Sequence, residues 1–403
     1  MKNVIRTLSA ALTALCMITF SICAAAAYDT PDDITVSTKD GSTSFSSYSI
    51  SFGDTAAADD GTGKVCTKGE LKLFGALPIK EVNVRFTDRQ IVTLGGQPFG
   101  IRLYTNGLVV SKIADVPSEN GKKCPATDAG IQCGDIITHA AGQKLSTNEQ
   151  LMQICEQSNG QPFLLRCLRE QKAFTAMITP VLDNELHTYR LGMWVRDSCA
   201  GIGTITFTDE KTKSFAGLGH GLYDSESGSL MPLSEGDIVP ADILSSNKGA
   251  GGSPGSLCGV FSSGEPIGSL KANSECGIYG VYTDFPDGEK AEIAFRQEVT
   301  RGKAKLLSTI EGETPQYYDI EIEEISYDNA EPSKNMVIHV TDEKLLSVTG
   351  GIVRGMSGSP IVQNGRLVGA VTHVFINDPS HGYAVFAENM AEYNHNVVQK
   401  TSG

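Results

Sequence analysis

The chain opens on Lys2 and Arg6 and then runs uncharged from Thr7 to Tyr28, apolar through its middle (LSAALTALCMITFSIC). Ala24 to Ala27 close the run with the small residues that a signal peptidase needs at A-x-A. This pattern predicts an export signal over residues 1–27. The run also reaches the ~20 apolar residues that span a bilayer, so cleaved signal and retained anchor both stay open. No other stretch is long enough to cross. From 28 to about 65 the chain is rich in Asp, Ser, Thr and Gly with weak periodicity (DDITVSTKDGSTS, GDTAAADDGTG), which predicts a flexible stalk. Strands such as Glu81–Phe86 (EVNVRF) follow, with alternating apolar residues.

Residues 97–182 form a second pattern. Phe99-Gly100-Ile101-Arg102-Leu103 reads as a strand entered through a glycine, and Gly107-Leu108-Val109-Val110 as another. A polar loop with Pro117, Asn120 and Gly121 comes next. Pro125 to Ile137 (PATDAGIQCGDII) then predicts a short helix, a turn and a strand. Thr147 to Gln157 has helical spacing, with Ser146 or Thr147 as N-cap. Two alternating strands, Phe163–Arg169 and Ala173–Thr179, end the unit. The A-x-x-A-G-I-x-x-G-D-x-I stretch resembles the PDZ domains of bacterial exported proteases. That resemblance implies β-augmentation, in which an extended peptide joins a sheet edge and backbone N–H groups hold its carboxylate, here near Phe99, Gly100 and Ile101. A PDZ fold that packs on its own neighbour and binds nothing free is the competing expectation.

Beyond Leu182, short alternating strands (GTITF, IVRG, RLVGAVTHVF) alternate with Gly/Ser/Pro/Asp turns. Helical spacing is confined to Asp342–Leu346 and the last few residues. Such a pattern suggests a sandwich or barrel, and some 220 residues suit two small β-barrels with a cleft between them. The expected organisation is therefore mainly β: 28–90 as stalk and N-terminal region, a PDZ domain over 91–182, and a trypsin/chymotrypsin-like double β-barrel peptidase domain over 183–403. Length agrees, since 403 residues at roughly 100–200 per domain allow two or three.

Composition changes the picture in two respects. The net charge of -14 is spread along the chain with no Lys/Arg-rich run, so nucleic acid is not an expected partner. Eight cysteines lie beyond the N-terminal run: Cys66, Cys124, Cys133, Cys155, Cys167, Cys199, Cys258 and Cys276. An exported chain permits disulfides among them, with 105 possible pairings, and free thiols are equally compatible. C-x-x-C and H-E-x-x-H are absent, so neither a metal nor another cofactor is expected.

The strongest chemical signal is Arg354-Gly355-Met356-Ser357-Gly358-Ser359-Pro360-Ile361-Val362. It resembles the G-x-S-G-G-P nucleophile loop of chymotrypsin-like proteases. In such a loop the N–H groups of Gly355 and Ser357 would face a developing oxyanion. An α/β-hydrolase elbow would require Gly at 359, where the chain has Ser. Among seven histidines, His220 stands between glycines at the end of an apolar run (FAGLGHG), which suits a catalytic base. A lone histidine is more often structural; the order His then Ser is what raises it. His373 reads as packed in the strand after the serine loop, and His381 or His395 with Asp378 forms a rival set. For the acid, Asp342 competes with Asp224 and Asp237, and Asp342 would also stabilise the first turn of a short helix.

The export signal, the PDZ stretch, G-L-G-H-G and T-D-E-K-L-L-x-x-T-G-G-I-V-R-G-M-S-G-S-P-I-V together closely resemble the stage IV sporulation protein B serine peptidases, from about residue 90 to the end. The resemblance implies a triad of His220, Asp342 and Ser357. It also implies an exported endopeptidase, secreted into or anchored in the space between the forespore membranes. There it would cleave itself and a membrane-bound regulator, triggering processing of a mother-cell sigma factor. Met356 stands where trypsin-like enzymes carry the aspartate that pairs with a new N-terminus, so that mode of activation is excluded. Only fifteen residues separate Asp342 from Ser357, fewer than in chymotrypsin-like chains. The rival readings are a PDZ scaffold on an inactive peptidase-like domain, an esterase or acyltransferase using the same Ser-His pair, and a quality-control protease of the high-temperature-requirement type. That last class places its protease domain first.

Overall fold

The protein is described from a computed structural model, which covers all residues except 1, 40–42, 53–57, 60–64, 120, 263–264, 284–287, 329 and 403. A helix over Lys2–Tyr28 begins the chain, and its Ile5–Tyr28 stretch is long and apolar enough to cross a membrane. Lys80 closes its far end, donating to the carbonyls of Ala27 at 2.9 Å and Thr30 at 2.6 Å.

The described residues of the stretch expected as a flexible stalk instead belong to a folded sheet, which also contains the strand expected at Glu81–Phe86; residues 40–42, 53–57 and 60–64 of that stretch lie outside the described residues. Val65–Leu73 and Leu77–Thr87 form its central hairpin, flanked by Asp33–Ser37 in parallel and Tyr48–Phe52 in antiparallel. Ile34, Val36, Ile50, Leu71, Val82 and Val84 make a core of their own. In the central hairpin one face is buried and the other is not, so the apolar residues are sparse along the chain, which is why the stretch read as polar. The sheet docks on the C-terminal helix, where buried Glu388 accepts from Thr35 at 2.6 Å.

The rest is organised around two closed barrels. The first contains β1 (Pro98–Ile113), β2 (Met193–Asp209), β3 (Ser214–Gly217), β4 (Leu233–Asn247), β5 (Gly268–Ser274) and β6 (Gly277–Tyr282). All pairings are antiparallel, and they close the ring β1-β2-β3-β6-β5-β4. The second contains β7 (Gly302–Ser308), β8 (Gln316–Ile325), β9 (Met336–Val340), β10 (Pro360–Gln363), β11 (Arg366–Val374) and β12 (His381–Phe386). Its ring, β7-β8-β9-β12-β11-β10, repeats the same order. The two-barrel expectation is met, and the fold is mainly β.

Alternation fills each interior. Phe99, Ile101, Leu103, Ile205, Phe215 and Ile278 occupy the first barrel; Leu306, Ile320, Ile322, Ile338, Val340 and Phe386 occupy the second. Between β10 and β11, Asn364 and Gly365 take φ of +52° and +74°, the left-handed pair that an Asn-Gly hairpin turn requires.

The unit expected as a PDZ domain has its own core, with Leu108, Val110, Ile131, Ile137, Leu151, Ile154, Leu165 and Ile178. Helix α1 (Asn148–Gln157) starts in a capping box between Thr147 and Gln150. The unit does not precede the barrels, however. It is inserted between β1 and β2, whose distal halves, Leu108–Ile113 and Met193–Arg196, are two of its strands. The boundaries at residues 91 and 182 are therefore corrected, because the Pro98–Thr105 half of β1 belongs to the peptidase barrel. Local patterning saw two strands, Phe99–Leu103 and Gly107–Val110, where one long strand serves both bodies.

Candidate functional site

His220 leaves the end of β3. Leu218 and Gly219 both adopt left-handed φ, +65° and +66°, and turn the chain out of the first barrel onto β11 of the second. A Cβ on Gly219 would stand 3.1 Å from the Val371 carbonyl oxygen, so the close approach needs glycine. The Nδ1 atom of His220 lies 2.7 Å from the Gly221 carbonyl oxygen. A carbonyl only accepts, so Nδ1 carries the proton and Nε2 keeps its lone pair. Burial pushes the imidazole below its usual pKa, against the smaller raising effect of that carbonyl, and so favours the neutral base. Asn273 steadies the following segment, accepting from the Leu222 N–H at 2.8 Å and donating to the Leu222 and Met231 carbonyls at 2.9 Å each.

Ser357 lies in the loop that enters β10, and the first barrel holds this loop in place. Thr204 donates its hydroxyl to the Gly355 carbonyl at 2.9 Å and its N–H to the Ser357 carbonyl at 3.0 Å. Thr206 donates its hydroxyl to the Gly358 carbonyl at 2.8 Å. A Cβ on Gly358, at φ +93°, would meet the Thr204 carbonyl oxygen at 2.1 Å, so no other residue fits there. The N–H groups of Gly355 and Ser357 donate to no acceptor among the described residues. Neither amide is taken up by the loop itself, so both can donate to an incoming oxygen. The Ser357 hydroxyl donates to the Thr372 carbonyl at 2.9 Å.

His373, expected as a packing residue, is instead part of this cluster. Its ring lies 4.8 Å from that of His220, centroid to centroid, tilted by 33°. Burial, then His220 and Lys334, push its pKa down to about 4, and its Nδ1 is buried without a partner. A neutral imidazole beside the base adds no charge repulsion.

Asp342 is not brought to His220. It is the N-cap of helix α2 (Glu343–Thr349), accepting from the Leu345 N–H at 3.0 Å and the Asp319 N–H at 3.2 Å. Asp224 is committed to Arg196 at 2.8 Å and to Ser227, and Asp237 to Arg102 at 2.6 Å. No carboxylate contacts His220 among the described residues. The rival His381–Asp378 pair does form, at 2.8 Å, but its serine partner is Ser380. His395 sits on the C-terminal helix, lining a small cavity with Arg85 and Glu392.

Phe99, Gly100 and Ile101 cannot form a carboxylate-binding turn. They lie mid-strand, paired on one side with Gly203, Ile202 and Gly201 and on the other with Pro240, Val239 and Ile238. Phe99 is fully buried. The inserted unit has two open edges among the described residues, Lys172–Ile178, which pairs with Phe163–Arg169 alone, and Met193–Arg196, which pairs with β1 alone and runs beside α1, where the Asn148 N–H donates to Asp197 at 3.0 Å. Leu191-Gly192-Met193 leads into the latter edge, with Gly192 at φ +70°. This second apolar-Gly-apolar segment, unlike the first, leads into a strand with a free edge.

The nine described cysteines are free thiols. Burial pushes those of Cys155, Cys167 and Cys276 up to about 12, so these three are inert packing residues.

Twin antiparallel barrels with a serine loop and a histidine meeting at their junction define a serine peptidase. Residues 187–391, just over half of the chain, match the model of the SpoIVB peptidase S55 family, and the chain belongs to that family. Among solved structures it is similar to the PDZ domain of an SdrC-like protein from Listeria monocytogenes, at 20% identity and TM-score 0.19. That match covers 23% of this chain and 90% of the other. The HtrA-type protease AlgW with a decapeptide matches at 10% identity and TM-score 0.31, covering 51% of this chain and 55% of the other. A protease from M. tuberculosis in its active form matches at 13% identity and TM-score 0.30, covering 50% and 74%.

Proposed function

We propose that Ser357 is the nucleophile and His220 the general base of an exported endopeptidase acting during endospore formation. It processes itself and cleaves a membrane-associated regulator, which triggers proteolytic activation of a mother-cell sigma factor. The family supports the setting, and the apolar N-terminal helix supports export to the space between the forespore membranes as a signal or anchor. The observation that carries the catalytic assignment is the paired free N–H groups of Gly355 and Ser357 in a loop that a histidine of the other barrel approaches through β11.

His220 takes the Ser357 proton at Nε2 as the oxygen attacks a peptide carbonyl, and the carbonyl oxygen moves onto the two amides. His220 then passes the proton to the leaving amine, and water releases the acyl group. In this structure the carbonyl of Gly221, rather than a carboxylate, fixes the imidazole tautomer. The inserted unit offers its edge at Met193–Arg196 to an extended peptide.

Intact mass of the full-length protein and of Ser357→Ala, each expressed alone, tests the reading. Shortening of the wild type alone supports it. Equal shortening of both removes Ser357 as nucleophile. If both stay whole and neither reacts with a serine-directed fluorophosphonate, the domain is an inactive scaffold.

A further inference from the structure

Adjacent strands of the second barrel bring together Glu323 of β8, His339 of β9 and His381 of β12, on the opposite side of β12 from β11 and its His373. His339 and His381 are direct cross-strand partners, with rings stacked at 4.3 Å. Glu323 reaches both, its Oε1 lying 3.5 Å from His339 Nδ1 and its Oε2 3.4 Å from His381 Nε2. One donor atom from each of the three falls within a 4.8 Å set.

We propose that Glu323, His339 and His381 bind a divalent transition ion of the zinc type. Bonds of roughly 2.0–2.2 Å to a tetrahedral ion put neighbouring ligand atoms roughly 3.4 Å apart; Glu323 stands at 3.5 and 3.4 Å from the two nitrogens, through one oxygen to each, so small rotations of the three side chains bring one atom from each to that spacing. Two imidazoles and one carboxylate are a donor set that suits zinc and leaves a fourth position for water. The neighbouring shell is also in place. His381 Nδ1 is 2.8 Å from the Asp378 carboxylate, so Nδ1 carries the proton and Nε2 presents its lone pair to the site. Asp378 is itself fixed by the Ser380 N–H at 3.1 Å and the Ser380 hydroxyl at 2.6 Å.

Entry is open, since Glu323 is exposed and borders a cavity of about 890 Å³. The stacked rings splay on loading, a side-chain rotation that their half-exposed positions permit. The ion would staple β8, β9 and β12, and β12 pairs with β11, whose Thr372 and Val371 carbonyls accept from the Ser357 hydroxyl and the Gly358 N–H. No motif announced the site because its ligands lie on three separate strands and meet only through pairing.

The test uses full-length Ser357→Ala protein in detergent, which removes self-cleavage from the readout. The protein is stripped with chelator, then titrated with Zn²⁺ by calorimetry and with Co²⁺ by visible absorption. The expected result is one ion per chain and the absorption of tetrahedral Co²⁺. In His339→Gln/His381→Gln the affinity falls by at least about 100-fold, and in Asp378→Asn by about 10- to 100-fold. Glu323→Gln, on an exposed side chain, supplies the same reading should the double variant fail to fold. Zn²⁺ titrations that superimpose for the parent and the Glu323 and histidine variants, or a parent that binds no ion, would overturn the proposal.

Discussion

The Ser357 hydroxyl is bonded to the main-chain carbonyl of Thr372 at 2.9 Å. A serine held in that way is at rest, because its proton points at the backbone of β11 rather than at an imidazole. Attack requires the hydroxyl to rotate about χ1 towards His220, giving up one neutral hydrogen bond worth about 0.5–1.5 kcal/mol. Substrate entering the pair of free amides supplies the compensating contact.

The loop's precision rests on β2, which gives a first prediction. Thr204→Val removes the hydroxyl that holds the Gly355 carbonyl while keeping the shape of the side chain. A nucleophile loop displaced by a fraction of an ångström loses alignment with its amides. Cleavage of a peptide substrate should fall by about tenfold in kcat with KM little changed, and stability by roughly 1 kcal/mol. An unchanged kcat would show that the bond only decorates the loop.

Asp342 gives a second. As an N-cap it is worth about 1 kcal/mol, so Asp342→Ala should lower the urea midpoint, whereas Asp342→Asn keeps a good cap and restores it. With the carboxylate acting only as a cap, cleavage returns together with stability in the Asn variant. Cleavage lost in Asp342→Asn at full stability would instead put the carboxylate at His220 during turnover.

The pH response has a definite sign. His373 has its folded pKa near 4, below the unfolded value of about 6.5, so the unfolded chain binds the extra proton first as pH falls. The contribution of this residue is therefore steady above pH ~6.5 and is lost progressively between ~6.5 and ~4. Urea midpoints of Ser357→Ala protein should drop across that window, and the drop should be smaller in the Ser357→Ala/His373→Gln double variant. His220 shifts the same way, so the acid limb of kcat/KM lies below pH 6.5. A limb above 6.5 would mean that a charged partner reaches His220 in the working enzyme.

What the sequence made legible was chemistry confined to one short segment. G-M-S-G-S-P and G-L-G-H-G state their turns through glycines whose positive φ and close approaches the structure confirms. The Asn364-Gly365 turn and the box at Thr147 are local in the same sense. Features set by pairing were not legible. Two apolar-Gly-apolar segments, at Phe99–Ile101 and Leu191–Met193, look alike as text, and only the strands on either side of the first show that it has no free edge. The insertion of one unit into the β1–β2 connection is hidden likewise, since each of these long strands changes bodies partway along its length. His373 read as packing because its alternation along β11 says nothing of which residue the other barrel lays against it.

The open edge at Met193–Arg196 offers the most direct test of the inserted unit. Trp194 is the one tryptophan in the chain, and it sits on that edge with 66% of its surface exposed. A peptide that pairs with Met193–Arg196 removes water from around the indole, so intrinsic fluorescence reports binding without a label. Its C-terminal carboxylate would be received where Gly192, at φ +70°, turns the backbone into the strand. A peptide with an apolar C-terminal residue and a free carboxylate should shift the Trp194 emission saturably, and the same peptide amidated should bind at least about tenfold more weakly, for loss of charged hydrogen bonds worth about 1.5–3 kcal/mol. Gly192→Val forces a β-branched side chain into left-handed φ, with its Cβ 2.9 Å from the Ala114 carbonyl oxygen, and should abolish the shift while Ser357 still reacts with a fluorophosphonate. Equal binding of the free and amidated peptides would show that the edge pairs with extended chains generally and has no seat for a carboxylate.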